Sequence, residues 1–114
     1  MLNSIILDNL KAEILRHAKD CRFSEVSENI YEIRFQKDFG SFGYSYHAEI
    51  INLVNRVLIR DWIYQGKTVY KFSGFFCKKE DGKTFAENAR NALVEYSNSG
   101  EIEKTFKILE EFGK

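Results

Sequence analysis

Six cationic residues, Arg34, Arg56, Arg60, Lys71, Lys78 and Lys79, fall in or beside β-prone runs of the chain, with Tyr31, Tyr64, Tyr70 and Tyr96 interleaved among them. Basic side chains converging on one concave face would clamp phosphates and stabilise the added charge of a phosphoryl-transfer transition state without a metal. Aromatic rings between them would stack on unpaired bases. The same composition has a plainer explanation, in which strands exposed on one face carry Lys and Arg for solubility and to deter edge pairing.

Other chemistries find little support in the residue types and their spacing. Gly40 and Gly43 are neither spaced for a dinucleotide turn nor followed by Lys and Ser or Thr, so no phosphate-cradling loop is present. His17 and His47 lack ligand spacing to each other or to Cys21 and Cys77, so no metal centre is expected and no cofactor is called for. His47, among tyrosines, has the chemistry of a general base, although a structural role fits a lone histidine better. No Gly-x-Ser-x-Gly elbow exists for a serine nucleophile. Cys77 precedes Lys78 and Lys79, whose charge would lower a thiol pKa, while a small strand-end residue facing the core is the simpler reading.

The elements that must position these groups follow from periodicity. Leu7, Leu10, Ile14, Ala18 and Cys21 recur at three- and four-residue steps, which predicts an amphipathic helix over about Ser4 to Asp20, capped by Asn3 or Ser4. From Asn29 the period becomes two, with Tyr31, Ile33 and Phe35 on one side and Glu32, Arg34 and Gln36 on the other, which predicts a strand. Lys37 to Gly43 reads as a turn or loop. Residues up to about Asn55 fit helix and strand almost equally. Arg56 to Tyr64 reads as strand, because a Gln65-Gly66-Lys67 turn joins it to the β-prone run from Thr68 to Cys77.

Thr84 followed by Glu87 forms a capping box that opens a helix with Phe85, Ala89, Leu93 and Tyr96 on its apolar side. After a break at Ser97 to Gly100, Ile102, Phe106, Leu109 and Phe112 mark a final helix ending at Gly113. The fold expected is α+β: a small antiparallel sheet of three to four strands packed against an N-terminal helix and two C-terminal helices, in a single domain spanning 1–114.

Composition bounds the function classes. Seventeen Lys and Arg balance seventeen Asp and Glu, which argues against a surface that is basic throughout. Ten Phe, six Tyr and one Trp supply the apolar surface a folded core requires, so disorder is not expected. Two distant cysteines point to a reducing compartment, and no targeting or membrane-spanning segment is read, so a cytoplasmic protein with no membrane partner is expected.

The order of the motifs resembles the phage-derived HigB branch of the RelE toxin superfamily. The resemblance rests on NIYEIRF at Asn29 to Phe35, RVLI from Arg56, the turn at Gly66, TVYKFSGFFCKK ending at Lys79, and KTFAENARNALVEY from Lys83 to Tyr96. It implies an mRNA endonuclease acting on ribosome-bound message and held inactive by an antitoxin protein. By position it implies Arg34, Arg56, Lys78 and Lys79 as catalytic cations and Tyr96 as a proton-transfer or stacking residue. Arg60, Lys71 and Tyr70 are expected to contribute to RNA binding. The chain departs from that family in lacking its initial strand and helix, in its neutral charge, in the segment Gln36 to Asn55, in Phe85 where a Pro is common, and in the extra final helix. The alternative is a non-enzymatic phage or mobile-element protein, an inhibitor, anti-defence or immunity protein, that binds a single protein target through an aromatic surface.

Overall fold

In the computed structural model, which describes residues 4–20, 24–35, 44–65 and 67–112, the chain is an α+β domain with a helix first, a sheet next and two helices last. Helix α1 (Ser4–Asp20) is followed by strands β1 (Ser24–Ser27), β2 (Ile30–Phe35), β3 (Tyr44–Asn52), β4 (Arg56–Gln65) and β5 (Thr68–Lys78). Helices α2 (Phe85–Asn98) and α3 (Glu101–Phe112) complete it. The strands form one antiparallel meander in the order β1-β2-β3-β4-β5. The fold class and helix positions are those expected, and the sheet is wider than three to four strands because Tyr44–Asn52 is a strand and β1 adds an edge.

Strand β3 takes the period-two reading because its alternate residues Tyr46, Ala48 and Ile50 are buried. Between them Ser45, His47, Glu49 and Ile51 are only half-buried. The turn from β3 to β4 is tight, with Leu53 N–H donating to the Arg56 carbonyl at 2.9 Å across Val54 and Asn55. Strands β4 and β5 pair from Arg56↔Lys78 to Gln65↔Thr68, as the hairpin reading requires. The expected loop at 37–43, the turn residue Gly66, the helix stop at Gly113 and Cys21 lie outside the described residues.

The core lies between one sheet face and the helices. It gathers Tyr46, Ala48, Ile50, Val57, Ile59, Ile63 and Cys77 from the sheet, with Leu10, Ile14 and Ala18 of α1, Ala89, Ala92, Leu93 and Tyr96 of α2 and Ile102 of α3. Tyr31 of β2 stacks on Phe85 at 4.6 Å, and a Lys11–Glu103 ion pair joins α1 to α3. Helix α2 starts where expected: the Thr84 hydroxyl accepts from Glu87 N–H at 3.2 Å while the Glu87 carboxylate accepts from Thr84 N–H. Gly100, at φ +87°, turns the chain from α2 into α3 through a conformation that L side chains rarely adopt.

Candidate functional site

Strand alternation divides the sheet's residues between two faces. With Val57, Ile59, Asp61 and Ile63 turned to the helices, Leu58, Arg60, Trp62 and Tyr64 occupy the opposite face of β4. Register places His47 beside Trp62, Glu49 beside Arg60, Ile51 beside Leu58, and Leu58 beside Phe76. The rings of His47 and Trp62 stack at 4.4 Å, and Trp62 meets Tyr64 edge-on at 6.3 Å while its indole N–H donates to the Tyr64 hydroxyl. At the other end the Arg56 guanidinium lies over the Phe76 ring at 4.2 Å from its centroid, and that ring is 53 % exposed. The result is an aromatic and aliphatic stripe across β3, β4 and β5, interrupted between Leu58 and Trp62 by Arg60 and Glu49.

Both carboxylates on this face, Glu32 and Glu49, have a nitrogen partner nearby. Arg60 donates to the Glu49 carboxylate at 3.1 Å, and His47 Nε2 sits 4.0 Å from the Glu32 carboxylate. The structure brings Arg56 and Lys78 together as directly paired neighbours, both exposed. It does not gather the other expected cations around them. Arg34 is paired with His47, which is paired with Trp62, so its backbone stands two strands across and six residues along from Arg56. At about 3.3 Å per residue and about 4.8 Å per strand this separation is roughly 22 Å, too far for one phosphate to bridge.

Lys79 turns elsewhere and donates to the Leu53 carbonyl at 3.1 Å. Tyr96 belongs to the core on the helix side, 1 % exposed, its hydroxyl 3.3 Å from that of Tyr46. It cannot share a surface with Arg56, because the sheet separates them. Lys71 pairs with Ile63, and the register passes over Tyr70 at the irregularity between Ile63 and Tyr64.

A concavity of about 580 Å³ lies where β5 leaves the sheet beside α2. Lys78 and Lys79 line it together with Glu80, Asp81 and Glu95, so three carboxylates face two ammonium groups. Such a lining repels a polyanion rather than collecting one. Its floor includes Asn88, whose side-chain carbonyl accepts from Glu80 N–H at 2.9 Å.

Cys77 is not the activated thiolate its lysine neighbours invited. Burial, reinforced by the hydrogen bond and charge of Glu95, pushes its thiol up to about 12. The Tyr46 phenol likewise lies well above its ordinary value, chiefly through burial and then through the adjacent Asp61 carboxyl, to which it donates at 3.0 Å. No group of three or more potential metal-ligating side chains occurs among the described residues. No described helix is long and apolar enough to cross a membrane.

Sequence reasoning singled out the cations and left unremarked the stripe made by Ile51, Leu58, Trp62 and Phe76. The signal was present in β4, where Leu58, Trp62 and Tyr64 alternate with a second apolar set, Val57, Ile59 and Ile63. A strand apolar on both faces has one face for the core and one for something else. Comparison with known proteins found no matching family model, no similar curated protein and no similar solved structure. The resemblance to RelE and HigB toxins therefore rests on the motifs quoted above alone.

Proposed function

We propose that the protein is a non-enzymatic binding protein whose open sheet face docks one protein partner. The observation that carries this reading is the stripe of His47, Trp62, Tyr64, Leu58 and Phe76, crossed between Trp62 and Leu58 by the Arg60–Glu49 ion pair and bordered at His47 by the Glu32 carboxylate. Aromatic anchors set among charged and polar groups are what protein interfaces use, with Trp, Tyr and Arg contributing most of the affinity. An inhibitor, anti-defence or immunity role fits this surface, since each acts by occupying a partner.

The test is stoichiometric co-purification from the source cells with the wild-type chain, with Phe76→Ala and with Val94→Ala. Phe76→Ala is expected to weaken the complex about tenfold or more. Val94→Ala, on α2, is expected to leave it intact. A complex indifferent to Phe76, or none at all, contradicts the reading.

A toxin that cleaves message has one observation in its favour, the pairing of Arg56 with Lys78 at the end of the same face. It requires growth arrest on expression that Arg56→Ala or Lys78→Ala relieves while the chain stays folded. Normal growth with confirmed folded expression removes that alternative.

A further inference from the structure

Two cations stand directly opposite each other at one end of the open face. Arg56 and Lys78 are paired across β4 and β5, and both are exposed. Leu53 N–H donates to the Arg56 carbonyl, so the backbone of Arg56 bonds toward β3. Because bonded and non-bonded pairs alternate along an antiparallel ladder, Arg56 and Lys78 form a non-hydrogen-bonded pair, the kind whose Cα atoms approach to about 4.5 Å. Like charges directly opposite each other destabilise a sheet. Neither residue makes an ion pair among the described residues, whereas Arg60, farther along the same face, is matched by Glu49.

Arg56 is also held in place, its guanidinium lying over the Phe76 ring at 4.2 Å from the centroid. Stacking covers one face of the guanidinium plane and leaves the N–H fork, which lies in that plane, to an acceptor with two oxygens. The surroundings limit what that acceptor belongs to. Lys79 is turned to the Leu53 carbonyl, Arg60 to Glu49, and Arg34 stands roughly 22 Å away. Glu80 and Asp81 follow Lys78 by two and three residues. A polyanion finds no row of cations here and meets carboxylates on either side, while a single carboxylate needs only the pair.

We propose that Arg56 and Lys78 form a receptor for one aspartate or glutamate side chain of the protein partner, with Phe76 and Leu58 taking an apolar residue beside it. This receptor presupposes the docking role proposed above and adds the chemistry of the segment that docks, which is acidic and apolar together. A bound carboxylate offsets the repulsion between the two cations, so a pair that destabilises the free chain stabilises the complex. The other end of the stripe is bordered at His47 by the Glu32 carboxylate. Opposite charges at the two ends fix which way round the partner lies.

A water-soluble carbodiimide, which condenses a lysine amine with a carboxylate and leaves no spacer, tests this in extracts of the source cells. Peptide mapping is expected to find Lys78 joined to one aspartate or glutamate of one protein. Lys104, exposed on α3, is expected to show no link to that protein. Lys78→Arg keeps the charge, and is expected to keep the complex while losing the link. Lys78→Glu sets opposite charges across β4 and β5. It is expected to raise the thermal midpoint of the free chain at low salt and yet to weaken the complex about tenfold or more.

Changing the linked acidic residue of the partner to Lys is expected to recover what Lys78→Glu loses. A complex that depends on Phe76 but shows no link at Lys78, or is indifferent to Lys78→Glu, overturns the receptor and leaves the docking role standing. A Lys78-dependent complex that ribonuclease abolishes assigns the pair to phosphate and also overturns it. The absence of any complex overturns both.

Discussion

Asp61 is 1 % exposed in the middle of β4, held by the hydroxyl of Tyr46 with Tyr96 close behind. A buried carboxyl that loses a hydrogen-bond donor bears an uncompensated desolvation cost, so Tyr46→Phe is expected to destabilise the fold by about 1–3 kcal/mol in urea unfolding. A loss below a few tenths of that range would show that Asp61 does not depend on the phenol. Nothing local in the sequence marks Asp61 as buried. Its partner on β3 is 15 positions away and the third member of the group lies on α2, so the cluster exists only once the sheet and helix have met.

The raised ionisations of Tyr46 and Cys77 fix the sign of an alkaline effect. Each group stays protonated in the folded chain at a pH where the unfolded chain has released its proton, so the unfolded state binds fewer protons and stability falls as pH rises. The contribution of Cys77 is complete below about pH 9 and is lost progressively from about 9 to about 12, and that of Tyr46 begins to fall above about pH 10. Denaturation midpoints measured across this window are expected to drop, and Cys77→Ala is expected to flatten the lower part of the drop. In a Cys21→Ser background, Cys77 is expected to resist thiol reagents at neutral pH while the chain is folded. Rapid labelling there would contradict its burial.

At the scale of elements, local rules carried furthest where the signal was short-range. Thr84 and Glu87 meet across one helical turn, so the start of α2 was legible from two residues, and Thr84→Ala is expected to cost about 1 kcal/mol, read as a lowered thermal midpoint. An unchanged midpoint would mean that the cap contributes nothing. Helix α1 was legible for the same reason, its apolar residues repeating at three and four. Strand β3 was not, because Ile50, Ile51, Val54, Val57 and Leu58 satisfy a helical stripe as readily as a pleated one. The pairing of β3 with both β2 and β4 decides the matter, and no window of nine residues contains that information.

Across the whole molecule, the meander sets where each candidate side chain ends up. It places Arg34, on the first strand of the toxin-like motif, at the far end of the face from Arg56 and turns Tyr96 to the other side of the sheet. Residue types that read as a catalytic set were legible in the sequence, while their distribution over two faces and roughly 22 Å was not, since it depends on strand order and register. What the sheet does concentrate is a stripe of apolar and aromatic residues in which Trp62 meets His47 and Tyr64, with the Arg60–Glu49 ion pair separating them from Leu58 and Phe76.

That stripe is tested most directly by placing a photo-reactive benzoylphenylalanine at position 62 in the source cells, with position 94 on α2 as the control. The account predicts one discrete protein adduct from position 62 and none from position 94. RNA crosslinked at position 62, or the same labelling from both positions, would contradict it.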